Sequence, residues 1–199
     1  MQVQQVFIEY PLAIGAETSN LTYCPRCGEN CVIKEEGGRK RSTCLKCGFI
    51  HYKNPVPAVS VLIVKDETVL LGKRAPGSFQ AGKWCLPCGY LEFDEDFITA
   101  ARREAKEETG LIIEIESILS VMSNFFTPAL HTLVVVLLAR VTAGTLCSGD
   151  DLVAAQWVPL AGPFPNMAFA ADEHIIARYC MTRVSGAPVE TRLARSSGC

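Results

Sequence analysis

The sequence predicts an α+β chain, a mixed sheet layered between helices as an αβα sandwich, preceded by a small module held together by a metal. Three observations carry this. Apolar, β-branched runs recur between Ala58 and Val158, as sheet strands do. Two stretches with helical character interrupt or follow them, one ending near Thr109 and one over Ala170–Arg183. Two C-x-x-C pairs stand ahead of all of them, at Cys24/Cys27 and Cys44/Cys47.

A length of 199 residues allows one domain, or one domain and a small module, at roughly 150 residues per domain. The composition, 49% hydrophobic and 20% charged, is that of a chain with a real core. Lys and Arg number 19 against 21 Asp and Glu, a net charge of -2. This balance argues against a whole-chain electrostatic hold on nucleic acid or on an anionic membrane. The first residues, MQVQQVFIEYPLAIG, have neither the basic start nor the apolar stretch of a signal peptide. The longest apolar run, Leu133–Ala139, falls far short of the ~18 residues of a membrane span. A cytoplasmic protein with no membrane partner is expected.

The elements follow in order. Residues 1–22 read as an irregular lead-in and 23–52 as the cysteine module, turning at Glu35-Glu36-Gly37-Gly38. Asn54-Pro55-Val56-Pro57 is a linker, since proline breaks regular structure. The main domain is placed at 56–183. It opens with Ala58–Val64 and Thr68–Arg74, a hairpin across Lys65-Asp66-Glu67. A small-residue loop, Ala75–Lys83, leads to a short strand at Trp84–Leu86. Asp94 is the expected cap of a helix that Gly110 stops. Strands are expected at Leu111–Val121, Thr132–Val141 and Val153–Val158, then the second helix. Residues 184–199 read as a disordered tail.

Cys24-Pro-Arg-Cys27-Gly28 and Cys44-Leu-Lys-Cys47-Gly48 can place four thiolates tetrahedrally around Zn²⁺. A module of about 30 residues buries too little to fold alone, so the metal supplies the folding free energy. Four protein ligands leave no open position, which makes the zinc structural. Cys31 and His51 are bystanders in this reading. Cys85-Leu-Pro-Cys88 has the spacing of a redox pair without its partner elements and is read as packing.

The most informative stretch runs from Gly89 to Leu111. At about 100° per residue, Glu107 and Glu108 fall about -60° and +40° from Glu104 on a helical wheel. Phe97 and Ala101 project at about +20° and +60°, so the three acids border the apolar stripe. Carboxylates pushed toward the protein body need compensation, and hard divalent cations such as Mg²⁺ or Mn²⁺ provide it. Arg103 can pair with an acid on this face, Glu107 being four residues on. Glu95 is read as support for the helix entry first and as a metal ligand second.

These residues resemble the Nudix hydrolases. Gly89, five residues, Glu95, seven residues, then Arg103-Glu104-Ala105-x-Glu107-Glu108-x-Gly110-Leu111 matches every position of that family's box. Leu70–Arg74 and Trp84-x-Leu86-Pro87 look like the strands that precede it, while Cys88 stands where many members have Gly or Ala. The ribbon, the linker and the box together resemble the zinc-ribbon branch that includes NADH and FAD pyrophosphatases. The resemblance implies a Nudix sandwich that hydrolyses a nucleoside diphosphate linked to another group. Glu104, Glu107, Glu108 and Arg103 would be catalytic, and the three glutamates with the Gly89 carbonyl would hold Mg²⁺ or Mn²⁺. Cys24, Cys27, Cys44 and Cys47 would hold the structural Zn²⁺. NADH enzymes carry a Ser-Gln-Pro-Trp-type signature soon after the box, and Ser117–Phe126 lacks it, which puts FAD or ADP-ribose ahead of NADH. A homodimer is implied, because related pyrophosphatases often pair.

Arg74 and Lys73 are candidates for phosphate contact and Phe126 for a base-stacking ring, with Lys83, Phe125, Phe164 and Phe169 behind them. Asp150, Asp151 and Asp172 are candidates for a general base, and His131 and His174 read as structural. Two other functions fit less of the sequence: clearance of oxidised nucleoside triphosphates, and a non-catalytic nucleotide sensor or adaptor bearing a zinc ribbon. A small-molecule nucleotide is the expected partner, and the near-neutral charge argues against nucleic acid.

Overall fold

The computed structural model describes residues 6–9 and 21–189. The fold divides into two compact units. The larger contains Val6, Phe7, Pro57–Asn124 and the described residues from Thr132 on; the smaller contains Ile8, Glu9, residues 21–56 and Phe125–His131.

The smaller unit is built on a two-stranded antiparallel ribbon, its strands numbered here in chain order after a short first strand β1 (Val6–Ile8). β2 (Cys31–Glu36) pairs with β3 (Arg39–Cys44) in the register Cys31–Cys44 to Glu36–Arg39. Gly37 and Gly38, both at positive φ, close the turn that the sequence places there. Each cysteine pair closes a tight turn: the Gly28 and Gly48 N–H groups donate to the Cys24 and Cys44 carbonyls, at 2.9 and 3.0 Å. Both glycines are at positive φ, as a knuckle of this shape requires.

The larger unit carries β4 (Val56–Lys65), β5 (Thr68–Arg74), β6 (Trp84–Cys85), β7 (Cys88–Tyr90), α1 (Phe97–Thr109), β8 (Leu111–Phe125), β9 (His131–Gly144), β10 (Leu152–Pro159), α2 (Ala170–Thr182) and β11 (Ala187–Pro188). The sheet order is β1-β8-β9-β4-β5-β10, with β11 on β8, β6 on β5 and β7 on β4. Side-chain alternation along the central strands sets the layers. Val59, Val61, Ile63, Leu70, Leu137 and Ala139 pack with Ile98, Ala101 and Ala105 of α1. Leu62, Val69, Leu71, Val136 and Leu138 pack with Ile175 and Ile176 of α2. Neighbours along one strand therefore feed opposite cores, each capped by one helix, which is the αβα sandwich.

Several boundaries differ from expectation. β1 and β11 lie in stretches read as irregular; β11 adds Ala187 and Pro188 opposite Ile118 and Ser117. Strand β4 already includes Pro57, tolerated near its start. Asp66 and Glu67 both adopt positive φ, so the hairpin turn needs neither Gly nor Asn. The cap of α1 is Asp96 and not Asp94: its Oδ1 accepts from the Ile98 and Thr99 N–H groups at 2.9 and 3.0 Å. Gly110, at φ 70°, ends the helix as expected.

Candidate functional site: an arginine among four acids

Helix α1 and the turn at β7 build the site. Glu104 and Glu108 are buried, at 8% and 1% exposure. Glu107 departs from expectation and faces solvent, its side chain 48% exposed. One position along the wheel is enough to lift it off the apolar stripe.

Arg103 ties the acids together. Its Nη1 donates to Glu104 Oε1 at 2.8 Å and to Glu107 Oε2 at 3.0 Å. Its Nε and Nη2 take both oxygens of Glu95, at 3.1 and 2.6 Å, and Nη2 also donates to the Tyr90 carbonyl at 3.1 Å. This fork geometry, which lysine cannot reproduce, fixes the helix start to the β7 turn. Glu95 lies outside the helix; its Oε1 accepts from the Glu92 N–H at 3.0 Å, and its Arg103 partner holds its carboxyl below the ordinary range. These contacts hold it at the entry to the helix.

Glycine at position 89 has a steric reason. A Cβ there would overlap the Glu104 carboxylate, so any side chain would expel that acid from the turn. The next residue back reaches the other buried acid: the Cys88 N–H donates to Glu108 Oε2 at 3.0 Å. Burial pushes the Glu108 carboxyl up to about 10, the nearby Cys88 and Glu104 adding to it. Burial also raises Glu104, against the pull of Arg103. Two buried acids held back from ionising, beside a backbone turn with no side chain in the way, suit a hard divalent cation in oxygen donors. Among the described residues, the cysteine quartet is the cluster whose donor atoms all lie within 4.8 Å of one another.

The quartet itself fits zinc. The Cys24 and Cys47 sulfurs are 3.5 Å apart, and those of Cys27 and Cys44 are 3.6 Å apart. Tetrahedral Zn–S bonds of about 2.3 Å space sulfurs about 3.8 Å apart. Cys31 and His51 stay outside this set; the His51 N–H serves the ribbon, donating to the Ser42 carbonyl at 2.9 Å.

A second polar cluster lies behind Glu108. The Arg74 Nη1 sits 3.7 Å from Cys85 Sγ and 3.9 Å from Cys88 Sγ, its Nε donates to the Phe79 carbonyl at 2.6 Å, and its guanidinium lies 5.6 Å from the Phe169 ring centre. Arg74 is thus near the site, turned toward inner partners. Its neighbouring Cys85 thiol and burial push the Cys88 thiol well above its ordinary value, which suits packing better than redox chemistry. Asp172, one of the base candidates, is buried and accepts the Leu86 N–H at 3.0 Å. This contact, between residues 86 positions apart, has no local signal in the sequence.

Asp172 yields a prediction. Burial raises its carboxyl from 3.8 to about 7, against the Leu86 N–H and Arg74. The folded state therefore keeps a proton that the unfolded chain loses. That stability is complete below about 3.8 and is lost as pH rises through about 7. Asp172→Asn keeps an oxygen for Leu86 and carries no charge. Between pH 5 and pH 8 the urea midpoint should fall in both proteins, since Glu108 is raised in each, but less in the variant, by on the order of a few kcal/mol of stability. Parallel curves would remove Asp172 as the source.

The remaining candidates disperse. Phe126 lies on a turn of the smaller unit, where its N–H donates to the Leu130 carbonyl at 3.1 Å. Phe125 meets His131 edge to face at 4.5 Å, and Phe164 packs on the core that α2 caps. Phe169 is engaged by Arg74 and by Phe79, whose ring stacks 6.4 Å away. Lys73 is half-buried on β5, in register with Trp84 and Ala154. Asp150 and Asp151 are exposed; the loop just before them meets α1, where the Gly149 N–H donates to the Glu108 carbonyl at 3.0 Å. His174 packs against Phe7, rings 5.7 Å apart.

Residues 54–179 match the NUDIX domain family model, well over half of the chain. The chain belongs to this family. It is a Nudix hydrolase, and several relatives sharpen the comparison. The ADP-ribose pyrophosphatase of Methanocaldococcus jannaschii is 39% identical over 129 residues, 64% of this chain and 75% of that protein. The NAD-capped RNA hydrolase NudC of Stutzerimonas stutzeri is 26% identical over 190 residues, 95% of this chain and 62% of that one. This chain therefore spans less than two thirds of that NudC. The crystal structure of a NUDIX hydrolase from Nitrosomonas europaea superposes with a TM-score of 0.71 at 27% identity, covering 85% of this chain and 96% of that one. No helix among the described residues is long and apolar enough to cross a membrane.

Proposed function

We propose that this Nudix hydrolase cleaves the diphosphate of a nucleoside diphosphate joined to a second group, with ADP-ribose ahead of FAD and NADH. The observation that carries the reading is the pairing of two buried acids, Glu104 and Glu108, with the side-chain-free turn at Gly89. Glu104, Glu107, Glu108 and the Gly89 carbonyl would hold Mg²⁺ or Mn²⁺. Such ions, when bound, neutralise the diphosphate and activate water. Arg103 would orient Glu104 and Glu107 for this task and keep Glu95 anchored away from it. Glu108 would be set by the Cys88 N–H. Zn²⁺ in Cys24, Cys27, Cys44 and Cys47 would be structural, since four thiolates complete its shell. The 39% identity to an ADP-ribose pyrophosphatase supports the order of substrates.

The test is incubation with Mg²⁺ and ADP-ribose, FAD, NADH, a diadenosine polyphosphate and a deoxynucleoside triphosphate in turn. Chromatography should show AMP and ribose phosphate formed fastest. A preference for the triphosphate would replace this reading with nucleotide clearance, and no turnover on any of them would favour a sensor. Light scattering of the same sample should give a homodimer.

A further inference from the structure

We propose that one face of the cysteine ribbon is a binding surface for single-stranded RNA. The net charge of -2 hides a division along the chain. Residues 21–53 hold seven Lys and Arg against three Glu, a net of +4, while the rest holds 12 against 18, a net of -6. Four of the seven basic residues, Lys34, Arg39, Lys40 and Arg41, stand on the β2-β3 hairpin with Glu35 and Glu36, a net of +2, and its register shows where each charge stands.

Residues directly opposite in an antiparallel pair share a face. Lys34 is opposite Arg41, and Glu36 is opposite Arg39, on the face that alternates away from Cys31 and Cys44. Lys34 and Arg39 are exposed. Two like charges placed directly opposite one another destabilise a ribbon. Among the described residues no carboxylate lies within 4.0 Å of Lys34 or Arg39, and the Lys46–Glu29 ion pair stands elsewhere. A polyanion laid along this face would turn the repulsion into attraction.

An aromatic ring completes the surface. The Arg41 guanidinium lies 4.5 Å from the ring centre of Tyr52, which is 56% exposed. A cationic face beside an exposed ring is the pairing that binds single strands: charges follow the phosphates, and rings stack bases without regard to sequence. The same charges oppose a second copy of this chain at that face, since two +4 ribbons repel. An RNA strand is therefore the occupant that the charge complements. The proposal does not depend on which diphosphate the enzyme prefers, because it concerns binding outside α1 and the β7 turn.

The test uses the full chain and fluorescein-labelled oligouridylate, read by anisotropy across a salt series. The parent should bind with affinity that falls steeply with salt, a slope of about 0.7 per phosphate contacted. Lys34→Glu with Arg39→Glu should bind at least about tenfold more weakly and lose about two contacts' worth of slope. Tyr52→Ala should weaken binding about tenfold with the slope unchanged. Both variants should keep their bound zinc by elemental analysis and hydrolyse ADP-ribose at the parental rate, which separates this idea from the hydrolase reading. Parental affinity in the charge-reversed variant would overturn the proposal. So would binding that ignores Tyr52 and yields equally to heparin, which would mark a general polyanion patch. A charge reversal that alters only the oligomeric state by sedimentation would hand the face to a second copy of the chain.

Discussion

Glu108→Gln is expected to lower Mg²⁺-dependent hydrolysis of ADP-ribose by on the order of a thousandfold or more while the protein still unfolds cooperatively near its parental midpoint. The two halves of this outcome have separate causes. Glutamine retains a carbonyl oxygen for the Cys88 N–H, so the bond that locks the β7 turn to α1 survives. It is nearly isosteric with the side chain it replaces, which is 1% exposed, and burying a neutral amide costs less than burying a charge. What disappears is the ability to ionise beside a cation. Steady-state rates with a thermal melt on the same sample check both halves. Near-parental turnover would place Glu108 in the packing alone.

The second large effect is expected at the other end of the chain. Cys44→Ser should reduce zinc from about one equivalent to a small fraction of it and strip the β2-β3 ribbon of protection against hydrogen exchange. The ribbon has few other means of support. Val32 and Ile33 are more than a third exposed, and Tyr23 and Leu45 more than half. A module that buries so little would depend on the zinc proposed for it, whose binding in comparable peptides is worth roughly 10–16 kcal/mol. The thiols bear out the same need. Burial opposes ionisation of Cys24, yet the Arg26 and Cys27 N–H groups and the adjacent thiols bring it down to about 7, while Cys27 is pushed up to about 12 by burial and its sulfur neighbours, against the Glu29 N–H. Four crowded sulfurs cannot all ionise without a cation among them. Full exchange protection in a zinc-free variant would show that the hairpin holds itself.

Much of this was legible in the sequence because it depends on spacing. The 3.6-residue period put Glu104 and Glu108 on the buried side of α1, and the C-x-x-C spacing brought the four cysteine sulfurs together. The same period misplaced Glu107, since a wheel gives direction and not the depth at which the neighbouring chain ends. Asp94 and Asp96 are equivalent as cap residues by type, and only the path of the chain into the helix selects Asp96. Contacts between distant segments were not legible at all. Arg103 could be expected to reach Glu107 four residues on, but its double bond to Glu95 and its bond to the Tyr90 carbonyl depend on where the β7 turn passes. Asp172 reaching Leu86, and Arg74 lying over Phe169 beside two thiols, belong to the same class. The net charge concealed the basic ribbon because a sum over the chain discards position.

The measurement that bears most directly on the central claim is a Mn²⁺ titration followed by electron paramagnetic resonance, with ADP-ribose present, on the parent and on Glu104→Gln. The parent should remove the free-ion signal as sites on α1 fill, and the variant should leave most of that signal in place with its melting temperature unchanged. Equal uptake by the two proteins would mean that the acids at the Gly89 turn do not hold the metal.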